Sequence, residues 1–339
     1  METIQLIHSI SDINTTEWEG LLKKSSVATW FQTKDAYTLY SSVKDFCPFL
    51  VAVNCHGLKG VVIGYITKAT NVINQAFTSR AIIYGGPLLD DNITECELKT
   101  LLTGLIDHLK SNSVTLSPIY IETRNFNSYT KWNETFNKCG FQYEPHLNFK
   151  IDTTTEDLAQ SRIGKHRWKY IRLSIRDGAS LVENPSIEQI DEFYEVLYKL
   201  YKEKVKTPLY SKEFFYALRK LKTSRFLFVK FEDHIIGGVV CVSLDDNTLY
   251  EWFACGNDNY HKGIRPSSVA TWYGIQYAAN NGYQIFDLMG AGKPDDHYGV
   301  RDFKQEFGGK LVEHGRYKYI NKPLLYKIGE IGVKLLRKM

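Results

Sequence analysis

Lys304 is the cation of this sequence whose position best suits chemistry. Val300, Phe303 and Phe307 recur at spacings of three and four, which predicts the buried stripe of a helix. Lys304 lies four residues after Val300 and three before Phe307, so it shares the apolar side. Such a lysine either extends its ammonium past the stripe to water or directs it into a cleft, where the charge can stabilise a developing oxyanion.

Carboxylates stand at two places where a loop is expected. Asp90 and Asp91 follow a glycine-proline turn, and a carboxylate at a cleft edge can bind or deprotonate an amine. The alternative is that Asp91 or Asn92 caps the next helix. Asp287 interrupts an apolar strand just before a glycine-rich loop. It either contacts a substrate or accepts hydrogen bonds from the amides of that loop.

A basic stripe is predicted between residues 162 and 176. Basic residues recur there at spacings of three and four, on one face of a helix: Arg162, Lys165, Lys169, Arg172 and Arg176. One interpretation is a solvated helix face that links two domains. The other is the wall of a groove that attracts phosphates, with Trp168, Ile171 and Ile175 packed against protein.

One order of elements occurs twice along the chain. Two apolar strands joined by a turn precede a helix, a strand, a short helix ending at glycine, and a last strand. The segments of the first copy are 50–53, 60–65, 101–109, 119–122, 129–136 and 142–151. Those of the second are 226–229, 236–242, 269–280, 285–288, 298–307 and 310–320. The repeat predicts an α+β fold of two tandem domains, each a mixed, largely antiparallel sheet flanked by helices.

The repeat and the length of 339 residues together predict the domain boundaries. The first domain is expected at 1–152, completed by a C-terminal helix at 321–339, and the second at 177–320. The basic helix at 153–176 is expected to link them. The tail from residue 323 is amphipathic and basic, and capping a domain is favoured there over membrane contact, which stays open.

Composition excludes several classes of protein. Hydrophobic residues at 43% and charged residues at 24% are typical of a folded globular chain. The six cysteines form no C-x-x-C pair and the nine histidines show no ligand spacing, so neither disulfides nor a metal site are expected. No secretory signal or transmembrane stretch is evident, which favours a cytoplasmic protein. A formal net charge of +4 does not by itself imply a nucleic-acid partner.

Several motifs carry a family resemblance. Residues 287–292 read D-L-M-G-A-G, and an F-K-x-x-F-G run begins at Phe303. Smaller matches are Phe31-Gln32, Gly85-Gly86-Pro87 before Asp90, Lys165-His166-Arg167, Tyr298-Gly299-Val300, and residues 250–255 with Pro266. Together they resemble the Fem-type peptidyltransferases (FemABX), bacterial relatives of the GNAT acyltransferases, over nearly the whole chain.

The resemblance implies two GNAT-like copies that transfer an aminoacyl group from aminoacyl-tRNA to an amine of a peptidoglycan (cell-wall) precursor, without metal or redox cofactor. We therefore expect Lys304 and Asp90 to be the catalytic residues. The residues expected to bind substrate are Phe303, Tyr250, Trp252, Asp287, Tyr298, Arg301, Lys165, Lys169 and Arg172.

Two other functions stay open. An acyl-CoA-dependent N-acetyltransferase acting on an amino sugar or small amine would use residues 260–266 as its pyrophosphate loop, although Arg265 and Pro266 stand where small residues would let the backbone approach. A non-catalytic protein on a degenerate GNAT scaffold would use the basic stripe to bind RNA or another anion. The long coiled-coil insertion of some Fem-type members is missing, and no Lys and Arg pair for a nucleotide diphosphate occurs near 40–44 or 209–210. The acceptor, the amino acid transferred and the oligomeric state are open as well.

Overall fold

The chain folds into two compact units. The structure, a computed structural model, describes residues 4–68, 78–111, 117–245 and 247–338. The first unit contains residues 1–145 and 314–339, and the second contains residues 146–313. Among the described residues, no helix combines the length and the apolar character needed to cross a membrane.

The first unit alternates strands and helices up to residue 145. Its elements are β1 (Gln5–Ile7), α1 (Thr15–Lys24), α2 (Lys34–Ser42), β2 (Phe46–Asn54), β3 (Leu58–Thr67), β4 (Arg80–Tyr84), β5 (Leu88–Leu89), α3 (Glu95–Ser111), β6 (Tyr120–Arg124), α4 (Asn133–Lys138) and β7 (Gln142–Glu144). Single helical turns at Ile10–Asp12, Trp30–Gln32 and Thr130–Trp132 connect some of them.

The second unit follows, and the chain then returns to the first. The second unit comprises β8 (Leu147–Asp152), α5 (Glu156–Ser161), α6 (Lys165–Arg176), β9 (Ser180–Glu183), α7 (Ile187–Leu200), a turn of π-helix (Tyr201–Val205), α8 (Lys212–Arg219), β10 (Ser224–Phe231), β11 (His234–Leu244), β12 (Thr248–Gly256), α9 (Pro266–Asn280), β13 (Ile285–Gly290), α10 (Gly299–Gln305) and β14 (Lys310–Glu313). β15 (Arg316–Ile320) and α11 (Pro323–Lys338) complete the first unit.

Each unit is built on one mixed sheet. In the described part of the first unit the strand order is β1-β2-β3-β4-β6-β15-β7, with β5 paired to β3. In the second unit the order is β14-β8-β13-β12-β11-β10-β9. Each sheet contains one parallel pair among the described strands, β4 with β6 and β12 with β13, and the other pairs are antiparallel. The predicted α+β fold with mixed, largely antiparallel sheets is thus confirmed.

The repeated order of elements is present, but each last strand is broken. The segment predicted at 142–151 is β7 followed by β8, and these two strands belong to different sheets. Likewise, the segment at 310–320 is β14 in the second sheet followed by β15 in the first. The expected boundaries therefore shift: residues 146–152 lie in the second unit and residues 314–320 in the first. Periodicity cannot reveal this exchange, because a broken strand keeps its alternation on both sides of the break.

Two helices differ from the sequence prediction. The linking helix predicted at 153–176 is split into α5 and α6, both of which belong to the second unit, and α6 begins only at Lys165, after a cap at Gly164. Ile175, predicted to pack against protein, is exposed, as is Val300, predicted to lie on a buried stripe. Both helices are short and lie at the surface of their unit. The protein therefore covers only part of the apolar face that the sequence pattern predicts. Phe307 is fully buried as expected.

Candidate functional site

An opening between β12 and β13 defines the candidate site. The two strands pair in parallel at only three positions, ending where Tyr250 lies opposite Asp287. β12 continues along β11 as far as Gly256, while Gly290 of β13 pairs with Asn148 of β8. Beyond Asp287 the described strands β12 and β13 have no further pairing with each other. Diverging parallel strands expose main-chain groups that can bind an extended substrate.

Asp287 shapes the edge of this opening. Its Oδ1 accepts hydrogen bonds from the Met289 amide at 2.7 Å and from Asn148 Nδ2 at 2.8 Å. Met289 has a φ of +57°, so the strand turns sharply here, and the carboxylate stabilises the turn. The predicted alternative, that Asp287 binds loop amides, therefore applies. Its Oδ2 is buried and has no hydrogen-bond partner in the described chain, and burial raises the pKa of Asp287 although Lys150 opposes this.

Lys304 of α10 reaches the same turn. Its ammonium donates hydrogen bonds to the carbonyl oxygens of Leu288 and Gly290, the latter at 2.9 Å. Burial lowers the pKa of Lys304, while the carboxylates of Glu251 and Asp287 oppose that shift. Of the two orientations predicted for Lys304, the structure shows the inward one, at the end of β13.

Glu251 of β12 is a third ionisable group here, and sequence analysis missed it. The residue is 5% exposed, and Oε2 lacks a hydrogen-bond partner within the described residues. Burial raises its pKa to about 7, although the charge of Lys304 and a hydrogen bond with Thr271 oppose the shift. An acid inside the apolar run 249–255 was the available signal, because a charge rarely occupies a buried strand without a partner. A carboxyl with a pKa near 7 can exchange a proton at neutral pH.

The F-K-x-x-F-G run is explained by packing around Arg167. This arginine of α6 lies over the Phe303 ring, with its guanidinium carbon 4.5 Å from the ring centre. It also donates to Glu306 Oε2 at 3.0 Å and to Ser268 Oγ at 2.7 Å. Gly308 has a φ of +74°, and a Cβ there would lie 2.2 Å from the carbonyl oxygen of Arg162. These contacts hold α10, and hence Lys304, in place.

Arg301 and Tyr298 hold the loop that follows β13. The Arg301 guanidinium donates to the carbonyl oxygens of Ala291 and Pro294, each at 3.0 Å, and to that of Lys293. The Tyr298 ring lies against Gly292, where a Cβ would come within 2.8 Å of it. Both residues had been expected to bind substrate, and in the structure they contact the loop itself.

Tyr250 and Trp252 are buried. Tyr250 lies opposite Asp287 in the parallel register, and burial raises the pKa of its phenol. Trp252 contacts the Phe214 ring edge-on with centres 5.2 Å apart. The two rings therefore form the interior beside the opening, and Phe303 is half-buried on the α10 side.

The basic stripe lies on an exposed helix face. Lys165, Lys169 and Arg172 of α6 are all exposed, and their spacing of four and three residues places them on one side. Ile171, on the opposite side, is fully buried. The face is therefore accessible from solvent.

Asp90, the other expected catalytic residue, lies in the first unit. Its Oδ1 accepts a hydrogen bond from the Asn92 amide at 2.8 Å, and its Oδ2 lies 3.9 Å from the Lys59 ammonium. The residue that caps α3 is Thr94, so the predicted cap at Asp91 or Asn92 is wrong. A threonine and a glutamate three residues apart satisfy the first amides of that helix better than the preceding turn can.

The start of α9 is the place where an acyl-CoA pyrophosphate was considered. Pro266 has no amide hydrogen there, and the Ser267 amide donates to Asp258 Oδ1 at 3.1 Å. The Ser268 amide donates to the Arg265 carbonyl at 3.1 Å. A carboxylate thus occupies the position of an anionic ligand at this helix end. Across the described residues, His, Cys, Asp and Glu form no group of three that could hold a metal ion.

Comparison with known proteins finds one matching family model and several structures with the same fold. Residues 219–333 match the FemAB family. The chain is similar to the structure of FemX, with a TM-score of 0.67, 14% identity, and 96% of this chain and 99% of that chain covered. The resemblance to Fem-type proteins is thereby confirmed. No curated protein sequence matches the chain.

Two further structures share the fold. The C-terminal domain of a putative lysylphosphatidylglycerol synthetase from Agrobacterium fabrum has a TM-score of 0.59 and 10% identity, over 94% of this chain and 95% of that one. A tandem GNAT protein from the clavulanic acid biosynthesis pathway has a TM-score of 0.56 and 9% identity, over 93% of this chain and 98% of that one. The chain therefore has the tandem GNAT-like fold.

Proposed function

We propose that this protein is an amide-forming acyltransferase of the Fem type, which moves an aminoacyl group from aminoacyl-tRNA to an amine of a cell-wall precursor. The observation that carries the proposal is the opening between β12 and β13, with Glu251 and Asp287 buried and Lys304 half-buried beside it. Ionisable groups whose pKa values are shifted by burial cluster at catalytic sites.

The reaction needs a base and a stabilised oxyanion. The acceptor amine attacks the ester carbonyl of the donor, the new C–N bond forms, and the C–O bond to the tRNA ribose breaks. One proton leaves the amine and one proton joins the departing ribose oxygen. Glu251, with a pKa of about 7, is the proposed acceptor of the amine proton. The Lys304 ammonium is the proposed partner of the tetrahedral oxyanion.

The donor is inferred from the start of α9 and from α6. Asp258 accepts the amide hydrogen that a CoA pyrophosphate would need, and its negative charge repels such a ligand. The exposed basic face of α6 instead favours a nucleic acid with many phosphates. Both observations support aminoacyl-tRNA over acyl-CoA. The FemAB match supports a peptidoglycan precursor as the acceptor.

The test is a transfer assay with two labelled donors. Purified protein receives either tRNA charged with a labelled amino acid or labelled acetyl-CoA, each with the same panel of amines. We expect label to move only from charged tRNA, and the Lys304→Met variant to lose this transfer. Movement of acetyl alone would establish the N-acetyltransferase alternative. Binding of tRNA without transfer from either donor to any amine would indicate the non-catalytic binder.

A further inference from the structure

Helix α11 carries a row of exposed apolar side chains. Leu324, Ile328 and Ile331 follow one another at spacings of four and three residues, which places them on one face. Their exposed fractions are 80%, 56% and 60%, the three highest values for large apolar side chains in the described residues. A contiguous apolar surface of this kind is uncommon unless something covers it.

The opposite side of α11 is anchored to the first unit. Tyr326 lies two residues from both Leu324 and Ile328, or about 200° around the helix. Its ring contacts Tyr120 of β6 edge-on, with centres 5.7 Å apart, and the Lys318 ammonium lies 5.7 Å from the centre of the Tyr326 ring. Because Tyr326 faces β6, the apolar row faces away from the sheet.

The charge of α11 indicates what the row contacts. The helix carries four basic residues and one acidic residue, Lys327, Lys334, Arg337, Lys338 and Glu330. A second copy of the chain placed on the row would bring two segments of net positive charge together, which is unfavourable. An anionic lipid surface would attract a segment of net positive charge and take up the exposed apolar side chains at the same time.

We propose that α11 is an interfacial helix that binds the surface of an anionic bilayer through Leu324, Ile328 and Ile331. The helix lies along the surface, and its apolar row enters the boundary between headgroups and acyl chains. This property is independent of the acyl transfer proposed above, because it rests on residues of the first unit alone.

Co-sedimentation of the full chain with vesicles tests the proposal. We expect the protein to pellet with vesicles of phosphatidylcholine and phosphatidylglycerol, and much less with phosphatidylcholine alone. Replacing the row by Leu324→Gln, Ile328→Gln and Ile331→Gln should weaken partitioning by about 100-fold or more. Lys327→Gln should weaken binding to the anionic vesicles about fivefold and leave the neutral ones unaffected.

A matched control separates the row from general surface hydrophobicity. Ile187, Val205 and Leu311 are also exposed apolar residues, at 44%, 44% and 47%, and lie outside α11. Their triple change to Gln should leave partitioning unaltered. Equal pelleting of the α11 variant and the wild type would overturn the proposal, as would absence of wild-type binding to anionic vesicles. A wild-type dimer in solution that the α11 variant loses would show that a second copy covers the row instead.

Discussion

Each unit contains one pair of parallel strands, and the two pairs differ in how far they stay hydrogen-bonded. In the first unit β4 and β6 pair at five positions, from Arg80 opposite Tyr120 to Tyr84 opposite Arg124. In the second unit β12 and β13 pair at only three and then diverge. The first unit thus has a closed sheet at the place where the second has an opening, and the same order of elements gives both.

The two units also differ in the surroundings of a buried carboxylate. In the first unit Glu122 is buried and faces three cations: Arg124 at 2.9 Å, Arg316 at 3.1 Å and Lys318 at 3.9 Å. Despite burial, these cations lower its pKa to about 2. In the second unit burial dominates and raises the pKa of Glu251 to about 7. A carboxylate compensated by three cations contributes to structure, whereas one whose burial is only partly compensated, beside an opening, is suited to proton transfer.

The largest expected effect is on stability, at Glu122. Glu122→Gln leaves the surrounding cations without their counter-charge, so the free energy of unfolding should fall by about 3–5 kcal/mol in urea titrations at neutral pH. The wild-type contribution is present above the unfolded pKa, about 4.5, and disappears as pH falls towards 2.

The control for Glu122 is Glu134, whose ion pair with Lys138 is exposed. Glu134→Gln should lower the free energy of unfolding far less than Glu122→Gln, because water screens an exposed ion pair. Equal unfolding free energies for the two variants would contradict the role given to the charge cluster of the first unit.

The next effect is on turnover, at Lys304. Lys304→Met keeps the stem and removes the charge, and turnover with charged tRNA should fall by about 100-fold to 1,000-fold, as for other oxyanion donors. Lys310→Met, at an exposed lysine of the same unit, is the control. Wild-type turnover in the Lys304→Met variant would contradict the role of Lys304 as the partner of the oxyanion.

Sequence analysis reached part of this site and not the rest. Lys304 and Asp287 were found because a charge within an apolar helix or strand pattern is visible in sequence. Glu251 has the same signal, but nothing in the sequence shows that β12 and β13 diverge beside it. Arg301 was assigned to substrate, since sequence cannot distinguish a side chain that binds a ligand from one that binds its own loop. The fold was predictable because its elements recur in order.

A third prediction concerns pH and Glu251. If Glu251 accepts the proton of the amine, kcat/KM should rise with pH through an apparent pKa of about 7, and Glu251→Gln should remove that limb. Stability should change in the opposite sense. Between about pH 4.5 and 7 the folded state holds a proton that the unfolded chain releases, so unfolding free energy falls as pH rises. Glu251→Gln should flatten this slope.

If kcat/KM of Glu251→Gln still rises with pH near 7, as in the wild type, another group is the base. Glu203→Gln is the matched control, because Glu203 is an exposed carboxylate of the same unit that lies outside α10 and its contacts. This variant should keep the rise of kcat/KM with pH near 7.

The smallest expected effect is on tRNA binding by α6. Lys165→Ala, Lys169→Ala and Arg172→Ala together remove three exposed cations from one helix face. If each neutralises a phosphate, the salt dependence of tRNA affinity should lose about one unit of slope per side chain, because fewer counterions are released. Fluorescence anisotropy at several salt concentrations measures this slope.

A control variant must distinguish a general loss of positive charge from the loss of the three cations on α6. Lys199, Lys202 and Lys222 are exposed lysines of the second unit that lie outside α6, and their triple change to Ala removes the same net charge. Long-range attraction would weaken equally in both variants, whereas direct phosphate contact is lost only in the α6 variant. An equal decrease of slope in the two variants would leave α6 as a solvated helix face and place the tRNA elsewhere on the protein.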